Sequence, residues 1–310
     1  MATTSKTTNL SALMQTYYDR LFIDVAKHWL VHEEGAQKRP LPQGEGKVVY
    51  FTRYTPLAIV SSALTEGSNP NPVSLVASNV SVTVSEFGNY TQISKLLSLT
   101  AVDPKMKAAV ELFGQNAGES RDQLVRDHAL VGGTAQLAGG KTALTDVAIT
   151  DTLSADEIRK AVRTLKANKA QRYDDGFFLG KTNVYSSYDL MGDSVWVNAK
   201  TYSDVKDLYT GEIGELHGVR FLESTNGKEY ANAGNSNADL WSTFIHGKNA
   251  FGVTDLEGDE KKIYVKTPGP QDTSNPLDRY YTVGWAMTFA PKQLVSDWIV
   301  EIKAGATGQS

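Results

Sequence analysis

Residues 47–94 decide how this chain folds. A first arm reads Lys47-Val48-Val49-Tyr50-Phe51-Thr52-Arg53-Tyr54, and a tip reads Thr65-Glu66-Gly67-Ser68-Asn69-Pro70-Asn71-Pro72. The second arm alternates, with Val80, Val82 and Val84 set against Ser81, Thr83 and Ser85. Period-2 alternation marks half-buried strands, and a Gly/Asn/Pro cluster marks the turn between them. A two-stranded hairpin of this length is marginal by itself in water. It needs a surface to lie on, supplied by the rest of the chain or by another copy of it. Gly88 then interrupts the alternation, which predicts a bulge or bend in the second arm.

Upstream, residues 11–32 carry Leu13, Met14, Tyr17, Leu21, Val25, His28 and Trp29 at helical spacing, as one amphipathic helix or two short ones. Residues 35–44 follow, with Pro40 and Pro42 favouring an extended connector. An amphipathic segment on a stiff linker reads as an arm whose apolar face must be covered somewhere.

Downstream, Asp103 and Pro104 form an N-cap and first-turn pair. Met106, Val110, Phe113, Ala117, Leu124 and Val131 keep one apolar stripe until Gly132-Gly133. At 1.5 Å rise, such a helix is a rod of roughly 42 Å. Gly114 and Gly118 within it mark a close packing contact or a bend. Ser154-Ala155-Asp156-Glu157 matches a capping box ahead of Ile158, Ala161, Val162 and Leu165, with Asn168 near the stop. Residues 185–191 and 197–202 read as short helices, and residues 145–150 as extended. Strand-like runs surround Phe178, Phe221, Phe244, Tyr264, Thr282 and Ile299. Strands and helices mix without regular βαβ alternation, so the class is α+β.

The 310 residues are 41% hydrophobic and 21% charged, a globular composition with ample core for roughly two domains. A net charge of -4 argues against a dedicated nucleic-acid binder. Without cysteine there is no disulfide, thiolate metal site or cysteine nucleophile. Residues 1–9 lack the apolar core of a signal peptide, and no run reaches the ~18 apolar residues of a membrane span.

Residues 135–142 (AQLAGGKT) echo a phosphate loop ending in Lys141 and Thr142, with Ala135 in place of the first glycine. A working loop stands between a strand and a helix. Here a long helix precedes it and an extended stretch follows, which favours a surface loop. His28 and His32 have i, i+4 spacing without the Glu of a zinc-protease pattern, and read as packing or solvated side chains. No nucleophile elbow or dinucleotide fingerprint is present. Lys38, Arg39, Lys47 and Arg53 gather at the hairpin base, either as a contact for an acidic neighbour or as charges protecting a strand edge.

Several blocks, in order along the chain, resemble the major capsid proteins of tailed bacteriophages, in particular a podovirus-type coat protein family. They are Tyr17-Tyr18-Asp19-Arg20-Leu21, Gly35-Ala36-Gln37-Lys38-Arg39-Pro40-Leu41-Pro42, Leu64-Thr65-Glu66-Gly67 and the stretch from Gly211 to Phe221. Residues 247–253 (GKNAFGV), 275–279 (NPLDR) and Val283-Gly284-Trp285 complete the set. The resemblance implies the α+β Johnson fold. It makes residues 1–46 an N-terminal arm and 47–79 an extended loop reaching over a neighbour. It makes 80–153 and 259–310 a peripheral domain with a spine helix at about 103–131, and 154–258 an axial domain.

It also implies a structural protein, without enzymatic activity, cofactor, metal or membrane. Such a protein is made in the host cytoplasm and assembles through pentamers and hexamers into the icosahedral virion shell around double-stranded DNA. Scaffolding and portal proteins are the implied partners, with decoration proteins as a further kind. Tyr17, Leu21, Trp29, Lys38, Arg39, Arg53, Tyr54 and Glu66 are then expected at subunit contacts. Gly44, Gly46, Gly67 and Gly88 are expected as hinges. Two other readings are a cellular nanocompartment of the same fold and a nucleotide-binding enzyme using Lys141.

Overall fold

The computed structural model describes residues 18–197 except 56, 65, 68, 70 and 96–104, and residues 212–258, 262–266, 277 and 279–308. Tyr17 and the expected helix start at Asp103-Pro104 lie outside the described residues.

Helix α1 is described over residues 18–27. It is followed by strand β1 (Gln37–Lys38), the hairpin strands β2 (Val48–Tyr54) and β3 (Ala77–Thr83), and β4 (Ser85–Ser94). Helix α2 (Lys105–Val125) is the long rod, extended by a π-turn over Arg126–Leu130. The Val131 N–H closes that turn on the Arg126 carbonyl at 3.0 Å, and Gly132 at φ +92° lets the chain leave.

Helices α1 and α2 cross at the two glycines. A Cβ on Gly118 would stand 2.6 Å from the Ala26 carbonyl oxygen, and one on Gly114 would stand 3.2 Å from that of Phe22. Of the two sequence readings, close packing is therefore the one the fold uses. The contact buries Phe22 and Ala26 against Val110 and Ala117.

The β4 strand pairs with the long β13 (Tyr280–Gln293) in unbroken register from Ser94↔Tyr280 to Ser85↔Phe289. On its other edge β13 pairs first with β12 (Lys262–Lys266) and then with β11 (Phe251–Asp255), which also takes β1 in parallel. The bulge expected at Gly88 is absent. Gly88 sits in the ladder where a Cβ would meet the Trp285 carbonyl oxygen at 2.7 Å, so glycine serves close approach there and not a pivot. The chain changes partners at Val84, whose N–H donates to the Lys47 carbonyl.

The second sheet runs β5 (Thr134–Leu137), β14 (Ile299–Ala304), β10 (Leu240–His246), β6 (Phe178–Asn183), β8 (Val219–Ser224) and β7 (Glu212–Leu216), with β9 (Lys228–Tyr230) also on β10. Helices α3 (Ala155–Ala167) and α4 (Val184–Gly192) cover it. Alternation along β10 and β14 divides the interior. Ile245, Val300 and Ile302 join the core under α3, while Phe244 and Ile299 join the core under α2.

Three sequence expectations change. The last strand, expected to return to the spine-helix sheet, lies between β5 and β10 in the seven-stranded one, while residues 251–255 belong to the five-stranded sheet. Ser154 makes no side-chain cap: the Ala155 N–H donates to Asp193 Oδ2 at 2.9 Å, and Glu157 binds Gln136 and Lys160 instead. A carboxylate from another segment thus meets the positive end of α3. Residues 144–146 form a 3-10 turn and not an extended run. The short helix expected at 197–202 lies almost entirely outside the described residues.

The α1–α2 crossing gives a test in which two effects oppose. Gly118→Ala gains up to about 1 kcal/mol of helix propensity. Overpacking against a backbone carbonyl costs about 1–3 kcal/mol. The expected net result is a lower thermal midpoint; an unchanged or raised midpoint means the crossing is loose.

Candidate assembly surface

The hairpin has two regimes. At its root, residues alternate in and out across the register Val49↔Val82 and Phe51↔Val80. Val49, Phe51 and Val82 are buried with Leu41 and Ala290, and the Phe51 ring lies over Gly252, where a Cβ would be 2.8 Å away. Opposite faces of the same strands leave Tyr50 and Tyr54 exposed. Arg39 donates to the Tyr50 carbonyl at 2.6 Å, and the Arg53 guanidinium stacks 5.3 Å from the Trp298 ring centre.

Beyond Tyr54 and Ala77 the ladder ends, and among the described residues the Thr55 N–H still donates to the Val76 carbonyl. The ribbon that follows is apolar and bare. Leu57, Ile59, Val60, Leu64, Val73, Leu75 and Val76 are all exposed, Ile59 at 85%. Such a concentration on one segment is the mark of an interaction surface.

The N-terminal segment behaves differently. Its polar stretch at residues 32–34 is locked into the body by a buried ionic cluster. Arg121 on α2 forks to Glu33 (2.7 and 3.0 Å) and to Asp255 on β11 (2.7 and 3.0 Å), with Phe289 stacked 4.5 Å away. One residue on, Asp122 accepts from the His32 backbone N–H at 2.6 Å and pairs with His32 Nδ1 at 2.7 Å. Lys181 on β6 donates to the His32 and Glu34 carbonyls at 2.6 and 2.7 Å and faces the Phe251 ring.

Burial sets the protonation of this cluster. It pushes Lys181 down to about 7, against the pull of Asp122, Glu34 and Glu33. It also lowers His32, outweighing its hydrogen bond to the Asp122 carboxylate, and holds His246 well below the usual histidine range. Arg121 moves the other way: its hydrogen bonds to Glu33 and Asp255 overcome burial and raise it.

The expected contact residues separate accordingly. Leu21 packs into the core under α2, Trp29 lies against Gly118, and Lys38 pairs with Glu33 at 3.3 Å. Leu21, Trp29, Lys38 and Arg39 thus all make contacts within their own chain. Residues 18–43 are therefore part of the body and not the free arm the sequence suggested, because Phe22 and Ala26 pack on α2 and residues 32–34 find polar partners on α2 and β6. Tyr54 and Glu66 are exposed on the hairpin. Gly44, Gly46 and Gly67 all have left-handed φ, between +78° and +87°, with nothing near enough to obstruct a side chain.

The motifs set aside in the sequence have plain surroundings. The Lys141 loop does follow a strand, β5, contrary to expectation. What comes after it is a 3-10 turn, however, so no helix N-terminus faces it, and Lys141 pairs with Asp151 at 3.8 Å. His28 is exposed beyond the end of α1 while His32 is buried, so the two share no helix face. Among the described residues, no group of three His, Cys, Asp or Glu is placed to hold a metal, and no helix is long and apolar enough to cross a membrane. The exposed ribbon and its lack of apolar alternation in the tip gave no sequence sign of where self-contact would stop.

Known structures share this architecture. A chain of the cyanophage Pam1 capsid asymmetric unit superposes with a TM-score of 0.65 at 18% identity, covering 90% of this chain and 93% of that one. The capsid of Ralstonia phage GP4 gives 0.67 at 13% identity, covering 89% and 88%. That of the Helicobacter pylori bacteriophage KHP30 gives 0.63 at 13%, covering 88% and 89%. No protein-family model and no curated protein matches the sequence. The chain thus has the α+β capsid fold of tailed phages, the Johnson fold.

The buried cluster makes two predictions. Arg121→Met strands two carboxylates and is expected to cost about 3–5 kcal/mol in denaturant unfolding; a cost below 1 kcal/mol means the clamp is not holding the segment. Stability also depends on pH. Below about 6.5 the unfolded chain binds protons that His32 and His246 refuse in the fold, so stability falls with acidification. From about 7 up to 10.5 the unfolded lysine is charged while Lys181 is neutral, so stability rises with pH. Lys181→Met is expected to flatten that upper slope in thermal unfolding; an unchanged slope assigns it to other groups.

Proposed function

We propose that this chain is the major structural subunit of a tailed-phage head. It assembles through pentamers and hexamers into an icosahedral shell that encloses double-stranded DNA in the virion. Scaffolding and portal proteins assist it, and it carries out no catalysis. The observation that carries this reading is the apolar ribbon at 57–76, joined to a root that is already satisfied. Its seven large side chains need a cover that the described residues do not supply. The capsid fold of the phage structures supports the same reading.

Magnitudes fit reversible assembly. Burying seven aliphatic side chains fully gives on the order of 10–20 kcal/mol at about 1.5–3 kcal/mol each. Losing translational and rotational freedom costs about 4–15 kcal/mol. One contact is therefore marginal and correctable, whereas a subunit held by several neighbours at once is firmly fixed. Heterologous contacts of this kind close into rings when the rotation allows. Rings of five and six need the ribbon to leave the body at different angles. Gly44 and Gly46 beside the first arm and Gly67 at the tip are the positions whose backbone permits that change.

Residues 47–79 accordingly form the reaching loop. The spine helix with the five-stranded sheet forms the peripheral part, and the seven-stranded sheet with α3 and α4 forms the axial part. Tyr54 and Glu66 are the contact residues on the loop, with Arg53 at its root.

Light scattering followed by electron microscopy of the purified chain tests the reading: rings or closed shells are expected, and a stable monomer under all assembly conditions overturns it. Removal of residues 61–74 is expected to leave a folded subunit, by circular dichroism, that builds no closed shell. Normal shells from that variant refute the role of the ribbon.

A further inference from the structure

The outer side of α3 carries a second surface. Arg159, Arg163 and Lys166 stand at i, i+4 and i+7, so they share one face of the helix. His217 joins them from the tight turn between β7 and β8, where it holds φ +52°. With Val162 as an apolar floor, these side chains line a groove of about 320 Å³.

The charges in this groove are unevenly neutralised. Arg159 pairs with Asp156, and the neighbouring Lys160 pairs with Asp156 and Glu157. Arg163 and Lys166 have no ion-pair partner among the described residues, and both are exposed. Lys166 in the last turn suits the helix dipole, but Arg163 lies further back and gains little from it. A basic groove on a chain of net charge -4 runs against the average of its surface.

We infer that this groove binds the phosphate backbone of duplex DNA, which places the outer face of α3 on the inside of the shell. This rests on the container reading above. An arginine fork matches a phosphate's oxygens in a bidentate contact, and lysine adds a point charge. No Asn or Gln lines the groove to read base edges, so the contact is to backbone and independent of sequence. Two free cations per subunit give weak binding individually. Repeated over a shell, they hold a filled genome against the wall without trapping it.

Fluorescence anisotropy of the full-length chain with a short labelled duplex of mixed sequence tests this, across about 50–200 mM salt. The expected result is binding whose log–log salt slope falls by about 2 in Arg163→Gln/Lys166→Gln, with several-fold weaker affinity at low salt. Both residues are exposed, so the variant is expected to keep its thermal midpoint. Lys107→Gln on α2, outside the groove, is expected to leave the slope unchanged. An unaltered slope in the double variant, or an equal loss with Lys107→Gln, overturns the assignment. So does tighter binding of poly-L-glutamate than of duplex, which gives the groove to an acidic polypeptide. Light scattering on the same samples separates the two proposals. Shells that form but show no groove-dependent duplex binding overturn this inference alone. Duplex binding through the groove by a chain that never forms shells supports the groove and sinks the container.

Discussion

Arg121 is the point on which the rest of the molecule depends. Its guanidinium reaches Glu33 of the N-terminal segment on one side and Asp255 of β11 on the other, from a site that is 2% exposed. A buried cation of this kind is stable only when both carboxylates are in place. The spine helix, the five-stranded sheet and the N-terminal segment are thereby held in one arrangement. Asp122 and Lys181 extend the same constraint to the seven-stranded sheet, through His32 and its backbone. These four parts of the fold meet around residues 32–34.

That rigidity explains why the hairpin can be long. Its root is fixed by Phe51 over Gly252 and by Val49 and Val82 in a small satellite core. From there the ribbon projects without cover from the other described residues. A rigid platform bearing an uncovered apolar extension is a poor monomer and a good building unit, since what one copy leaves bare another can cover. The N-terminal segment illustrates the contrast. It looked equally arm-like in sequence, yet Phe22 and Ala26 are buried and His32 and Glu33 are paired with Asp122 and Arg121 within the body.

Glycine does three different things in this fold, and residue type does not distinguish them. Gly114 and Gly118 admit a crossing helix, and Gly88 admits a carbonyl in an unbroken ladder. Gly44, Gly46 and Gly67 lie in open space with left-handed backbone. Each of these roles uses the missing Cβ, but only the last leaves the backbone free to change direction.

The sequence by itself determined the elements whose signals are local. The alternation of Val80, Val82 and Val84 located β3, and the stripe ending at Gly132 located the spine helix. The order of short blocks from Tyr17 to Trp285 resembled a family of tailed-phage capsid proteins. Local periodicity fixes which face of an element is apolar, because it reports the geometry of one segment. It says nothing about which distant segment covers that face. Tertiary structure alone decided that β14 sits between β5 and β10 in the seven-stranded sheet, that Asp193 and not Ser154 meets the start of α3, and that Glu33 finds Arg121 a long way along the chain. The groove on α3 was invisible for the same reason, since His217 joins Arg163 and Lys166 only after two sequence-distant segments pack together. Such pairings are set by the collective burial of charge and apolar surface, and that balance exists only in the folded whole.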